Sequence, residues 1–253
     1  MPNSHAHVVD VFFIHLDGSL DICRTRKRNM LDQIEKLSDT NKGVRCVVVD
    51  AYSPWNTIYS KSPRLSEPEN GCFHSHVKAM SIALRNSSSE TANGFFCVAE
   101  DDIVVSDMLV IADIVKMAPS DWEILQVHIN SPEVITGLYK QIYISSGKKT
   151  LFAPWQKYWS STGFYIIKND AARVFVKNFE QYINEHERTP TIDDVLFSRF
   201  KTYSLTYPFI STTDSDSFIH PEHLGIHTQC TDIIKKINSS DPFSPRISRV
   251  VVD

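Results

Sequence analysis

Hydrophobic residues recur along this chain with two periods. Val8-Val9-Asp10-Val11-Phe12-Phe13-Ile14-His15-Leu16 is a near-continuous apolar run, the pattern of a parallel strand covered on both faces. Asp17-Gly18-Ser19 breaks it, and over residues 29–37 the apolar positions Met30, Leu31, Ile34 and Leu37 fall at helical spacing. Residues 44–49 are again strand-like. A strand, loop, helix, strand order of this kind opens an α/β domain, whose ligands bind beyond the carboxyl ends of the strands.

Residues 50–70 carry Pro54, Pro63 and Pro68 among Ser and Asn, and read as a long irregular loop over such a site. Gly71-Cys72-Phe73-His74-Ser75-His76 then leads into the helical pattern of Val77, Met80, Ile82, Ala83 and Leu84, which stops at Asn86-Ser87-Ser88-Ser89. Phe95-Phe96-Cys97-Val98-Ala99 and Trp122-Glu123-Ile124-Leu125-Gln126-Val127-His128 are further strands. Residues 136–151 predict a β-hairpin or meander that turns at Ser145-Ser146-Gly147-Lys148. Thr162-Gly163-Phe164-Tyr165-Ile166-Ile167 is a strand that runs into a helix capped by Asn169, and residues 189–197 predict a short helix with Asp193 and Asp194 in its first turn. Beyond about residue 210 the periodicity is lost.

The 253 residues are 42% hydrophobic and 22% charged, enough to bury a large core as one α/β domain with a less regular C-terminal extension. A net charge of -4 provides no basic field, which argues against a nucleic-acid partner. No basic leader and no run of about 18 apolar residues is present. Five scattered cysteines (Cys23, Cys46, Cys72, Cys97 and Cys230) lack a C-x-x-C spacing and read as reduced thiols. The expectation is a cytoplasmic protein, and the N-x-S matches at Asn86 and Asn238 do not change it.

Chemistry concentrates at Glu100-Asp101-Asp102, directly after an apolar strand. Carboxylates this close raise one another's pKa, so a site that keeps them ionised supplies a divalent metal or many donors. A solvated turn is the plainer alternative. His74 and His76 are placed by this reading at a helix N-terminus, where backbone N–H groups receive anions or where the side chains simply cap and pack. Asp193 and Asp194 are candidates for a general base, or ordinary acids of a helix start. Asp214-Ser215-Asp216-Ser217-Phe218-Ile219-His220 reads as an Asx-rich loop. Trp155, Tyr158 and Trp159 read from the residues as a buried aromatic cluster.

Taken in order, five elements over residues 8–210 resemble the family 25 glycosyltransferases, the lipooligosaccharide and collagen sugar transferases. They are Phe13-Ile14-His15-Leu16 before a helix with Arg24, Arg26 and Arg28; Gly71-Cys72-Phe73-His74-Ser75-His76; Val98-Ala99-Glu100-Asp101-Asp102; Gly163-Phe164-Tyr165-Ile166-Ile167 before Ala171 and Ala172; and Pro190-Thr191-Ile192-Asp193.

The resemblance implies a GT-A-like domain with a Rossmann-like, mostly parallel sheet flanked by helices. Its nucleotide-binding half would span about 8–105 and its acceptor-side half about 106–225, followed by an irregular tail over 226–253. It further implies transfer of a sugar from a nucleotide diphosphate donor, a UDP-hexose, to a hydroxyl of a glycan or glycoconjugate, with inversion. Asp102 and Glu100 would hold Mn²⁺ or Mg²⁺, with His220 (or His227) as a further contact. His15, Leu16 and Ala51 would lie against uracil and ribose, Arg28, His76 and Asp101 near the rest of the donor, and Asp193 or Asp194 would be the base. Trp155, Tyr158 and Trp159 would form a platform for a sugar ring, and peripheral membrane contact would come through the acceptor. Two other classes stand beside this one, a metal-dependent nucleotidyltransferase or phosphohydrolase and a catalytically silent carbohydrate-binding protein.

Overall fold

A computed structural model describes residues 9–53, 61–86, 94–185, 191–213 and 224–243. The apolar runs at residues 8–16 and 44–49 form β1 (Val9–His15) and β2 (Val44–Asp50), joined by α1 (Asp21–Thr40). Then come α2 (Glu67–Asn86), β3 (Phe95–Glu100), β4 (Ile103–Val105), α3 (Ile111–Met117), β5 (Ile124–Gln126), α4 (Pro132–Gly137) and a π-helical segment at Leu138–Ile144. The remaining elements are β6 (Phe152–Pro154), β7 (Phe164–Lys168), α5 (Asn169–Glu185), α6 (Ile192–Arg199), β8 (Thr202–Leu205), β9 (Ile210–Thr212) and α7 (Leu224–Ser240).

Seven strands form one sheet in the order β2-β1-β3-β7-β5-β8-β6. β1 pairs parallel with β2 and β3, β5 pairs parallel with β8, and β7 and β6 run against their neighbours. Five strands therefore share one direction, as a mostly parallel α/β sheet requires. Both faces are covered. Val11, Phe13, Cys97, Ala99, Leu125 and Phe164 pack on one side, and Phe12, Val98, Ile124, Tyr165 and Ile167 pack with Phe73, Met80 and Phe175 of α2 and α5 on the other. Double-sided burial is why these strands read as continuous apolar runs. β4 and β9 form a separate antiparallel pair.

Several elements depart from the sequence expectation. Residues 136–151 are not a hairpin: Ile135, Leu138 and Tyr143 enter the core from α4 and the π-helical segment. Ile and Tyr favour strands intrinsically, but their steps of three to five residues let a helical segment bury them. The expected turn survives, with Gly147 and Lys148 at φ 66° and 64°. The tail is not irregular throughout, since α7 buries His227, Cys230, Thr231, Ile234 and Ile237 along one stripe. α1 starts at Asp21, eight residues before the predicted position.

α2 begins at Glu67, so His74 and His76 lie inside it. Its start is a capping box: the Ser66 N–H donates to Glu69 Oε2 at 2.8 Å and the Glu69 N–H to Ser66 Oγ at 3.4 Å. Asn169 opens α5 without capping it through its side chain, because its buried Oδ1 has no partner.

Candidate active site

Parallel strands deliver their carboxyl ends to one edge of the sheet, and β1 and β3 end there in His15 and in Glu100-Asp101-Asp102. The negative charge is met from α1. Arg26 donates to Asp101 Oδ1 at 3.2 Å and lies 2.9 Å from Asp102 Oδ2, while His15 Nδ1 is 2.7 Å from Asp101 Oδ2. Asn29, one turn on, donates to the Asp101 and Ile103 carbonyls at 3.0 and 2.9 Å. Both carboxylate oxygens of Asp101 are thus held by the protein itself. Asp101 and Asp102 are buried, at 5% and 8% exposure. Burial raises the Asp102 carboxyl and outweighs Arg26; Glu100 and Asp101 push it further up, so it sits above the ordinary carboxylate range.

Glu100 turns the other way, towards α2. Its Oε1 lies 3.2 Å from His76 Nε2 and accepts from Thr162 Oγ1 at 2.8 Å, and the second His76 nitrogen is 3.1 Å from the Tyr165 hydroxyl. Burial raises this carboxyl too, but the hydrogen bond and charge of His76 prevail and hold it below the ordinary range. Donor atoms of Cys72, His76 and Glu100 all lie within 4.8 Å of one another, close enough to share a metal ion. Burial and the surrounding carboxylates push the Cys72 thiol far up, however, and His76 already uses both ring nitrogens. His76 and Thr162 hold Glu100 by hydrogen bonds, with Tyr165 behind His76.

The oxygen donors of Asp102 and Glu100 fit a hard cation better. The Asp101 and Asp102 carboxylates face the Arg26 guanidinium, and burial, with Glu100 and Asp101 nearby, holds the Asp102 carboxyl up, so a cation beside it would be favoured. Mn²⁺ and Mg²⁺ take such oxygen ligands together with phosphate and water.

Asp193, in the first turn of α6, accepts the Ser161 N–H on Oδ2 at 3.0 Å and the Asp194 N–H on Oδ1 at 3.1 Å. Ser161 also joins His128, just past β5: its Oγ is 2.7 Å from His128 Nδ1 and accepts the Gly163 N–H at 3.0 Å. His128 is 2% exposed, its Nε2 has no partner, and burial pushes its pKa down to about 4. Glu100 and His227 both act on it electrostatically. Sequence reading placed His128 on a strand without giving it a role.

Of the predicted site residues, His15, His76, Glu100, Asp101, Asp102 and Asp193 come together. Leu16 and Ala51 stand half-buried at the ends of β1 and β2, where the Ala51 N–H donates to the His15 carbonyl at 2.8 Å. Arg28 does not join them. It is exposed, and two residues along a helix place it about 200° round from Arg26, so Arg26 is the arginine that reaches the acids. The same half-turn separates His74, packed on Phe73 and Phe179, from His76. Because both lie within α2, neither sits at a helix N-terminus as expected. Trp155 donates to the Trp159 carbonyl and packs edge-on to Phe197, whereas Tyr158 is 60% exposed. Residues 214–220, His220 among them, lie outside the described residues.

Residues 19–196 match the family described as glycosyltransferase family 25 (LPS biosynthesis protein). No curated protein matches the chain. Among solved structures it is similar to a glycosyltransferase involved in the glycosylation of the major capsid of PBCV-1, at 13% identity over 86% of this chain and 88% of that one, with a TM-score of 0.45. A197 from STIV gives 12% identity, 81% and 84% coverage and a TM-score of 0.41. The galactosyltransferase LgtC, in complex with donor and acceptor sugar analogs, gives 11%, 78% and 73%, and 0.40.

Proposed function

As this chain belongs to glycosyltransferase family 25, we propose that it transfers a hexose from a UDP-sugar to a hydroxyl of a glycan or glycoconjugate, with inversion and with help from a divalent metal. The observation that carries this reading is the meeting of the strand-end acids Glu100 and Asp102 with a separately held carboxylate, Asp193, through Thr162 and Ser161. These are two kinds of carboxylate with two kinds of support.

Asp102 and Glu100 would hold Mn²⁺ or Mg²⁺, which when bound supplies positive charge against a diphosphate leaving group. Arg26 keeps the Asp102 carboxylate oriented. His15 anchors on Asp101 through Nδ1, and its Nε2, 3.9 Å from Asp17 Oδ1, makes no hydrogen bond, so with Leu16 and Ala51 it supports a nucleoside site at the ends of β1 and β2. Asp193 acts as the base. Its two backbone hydrogen bonds fix the carboxylate, and each oxygen keeps a lone pair to take the proton of the acceptor hydroxyl as that oxygen attacks the anomeric carbon. Attack from the face opposite the departing UDP inverts the centre. The five free thiols fit a reducing compartment such as the cytoplasm.

A screen of UDP-, GDP- and CMP-sugars with and without Mn²⁺, measuring nucleotide release and the anomeric configuration of the product, tests the reading. Release of intact UDP only in the presence of metal, lost in Asp102→Ala, is the expected result. Release of pyrophosphate or phosphate would instead identify a nucleotidyltransferase or phosphohydrolase, and no turnover of any donor would leave a carbohydrate-binding protein.

A further inference from the structure

We propose that His128 is a specificity residue, whose Nε2 makes a hydrogen bond to a hydroxyl of a sugar at the reaction centre; this rests on the glycosyl-transfer reading above. Ser161 Oγ accepts the Gly163 N–H and pairs with His128 Nδ1, 2.7 Å away. The other ring nitrogen, Nε2, has no hydrogen-bond partner among the described residues although His128 is 2% exposed. A buried polar atom left unpaired is costly, and a ligand group relieves the cost.

The ring's position is set by a missing side chain. A Cβ on Gly163 would stand 2.4 Å from His128 Nδ1, so the imidazole occupies the space that any other residue would fill. The Val127 and His128 N–H groups both donate to the Phe164 carbonyl, and the Glu100 N–H donates to the Gly163 carbonyl at 2.9 Å. Gly163 therefore lies between the ends of β5 and β3, and its missing side chain leaves room for the ring, which the Glu100 charge reaches.

Ser161, which orients the ring, has φ 126°, a region that favours glycine. Strain of this kind persists where the surrounding contacts enforce it, and here the Ser161 N–H is held by Asp193. One strained residue thus sets both the base and the imidazole. The chemistry selects the ligand. A hydroxyl both donates and accepts, so it pairs with Nε2 in either tautomer, and an uncharged imidazole lacks the charge a phosphate calls for.

The hydroxyl belongs either to the transferred sugar or to the acceptor, and two arms separate these. In the first, kcat/KM for transfer is measured for wild type, His128→Phe and His128→Gln with the donor that wild type turns over and with its singly deoxygenated analogues. In the second, hydrolysis of the same donor by water is followed without acceptor. His128→Phe is expected to lower transfer about 10- to 100-fold, with UDP affinity in Mn²⁺ unchanged, and His128→Gln, which keeps a donor, to recover part of the loss.

If the contact is to the transferred sugar, hydrolysis falls too and one deoxy donor abolishes the difference between wild type and variant. If it is to the acceptor, hydrolysis is retained. Transfer within threefold of wild type in His128→Phe overturns the assignment while leaving the glycosyltransferase reading intact. So does an equal loss with every deoxy donor in both arms, or weakened UDP binding, since a purely structural role predicts these. A wild type inert towards every donor removes both readings.

Discussion

Arg26 and Arg28 are the same residue type two positions apart, and their fates diverge because a helix turns about 100° per residue. Arg26 neutralises Asp101 and Asp102 in a buried site, so Arg26→Leu strands uncompensated charge and is expected to cost about 3–5 kcal/mol in urea unfolding. Arg28→Ala, at an exposed position, is expected to stay within about 0.5 kcal/mol. Asp193 and Asp194 pose the same problem one residue apart. With Asp193 tied to Ser161, Asp193→Asn is expected to reduce transfer by about 10²- to 10⁴-fold with donor affinity retained, and Asp194→Asn to fall by less than tenfold. An unchanged Asp193→Asn rate would take α6 out of the mechanism. The acid triplet was legible in the sequence because it follows an apolar run. His128 was not, because its burial and open nitrogen depend on a glycine 35 residues away.

At the scale of elements, doubly covered strands were easy to read and helix starts were not. β1, β3 and β7 announce themselves as near-continuous apolar runs because both faces are covered, whereas β2, at the sheet edge, carries Arg45 and leaves Val48 exposed. The start of α2 was written in the chain as Ser66-Glu67-Pro68-Glu69, but the prolines before it drew the loop too far. Its capping box satisfies two backbone donors, so Ser66→Ala is expected to cost about 1 kcal/mol, read as a lower urea midpoint with unchanged m-value. An unaltered midpoint would mean that water replaces the cap at no cost. The segment at residues 138–144 misled for a different reason. Its Ile and Tyr residues have strand propensity, but burial against Tyr207 and Phe243 decides their conformation.

For the whole molecule, the buried groups of the site link stability to pH. His128 is pushed from 6.5 down to about 4, so the folded chain binds fewer protons there than the unfolded chain. Its stabilising contribution is complete above 6.5 and is lost as pH falls towards 4, by on the order of 3 kcal/mol. Asp102, raised above 3.8, acts in the opposite sense in the lower part of that window, because the folded chain holds its proton more tightly. The two slopes offset each other in wild type. In metal-free buffer, His128→Phe removes one of them, and the stability difference between variant and wild type is expected to move in the variant's favour by about 3 kcal/mol between pH 7 and pH 4. A difference independent of pH would show that His128 is not held neutral.

The acidic turn is also tied to a distant part of the chain. The Thr213 N–H donates to the Asp102 carbonyl at 2.7 Å, β9 pairs with β4, and Thr231 of α7 bonds the Thr212 carbonyl at 3.0 Å. All three anchors lie beyond residue 196, where the family match stops. A fragment trimmed to the matched segment would keep every carboxylate of the site yet lose the brace that fixes Asp102. The smallest piece able to work therefore extends through α7, and a clone cut at the family boundary would be inert for want of a buttress.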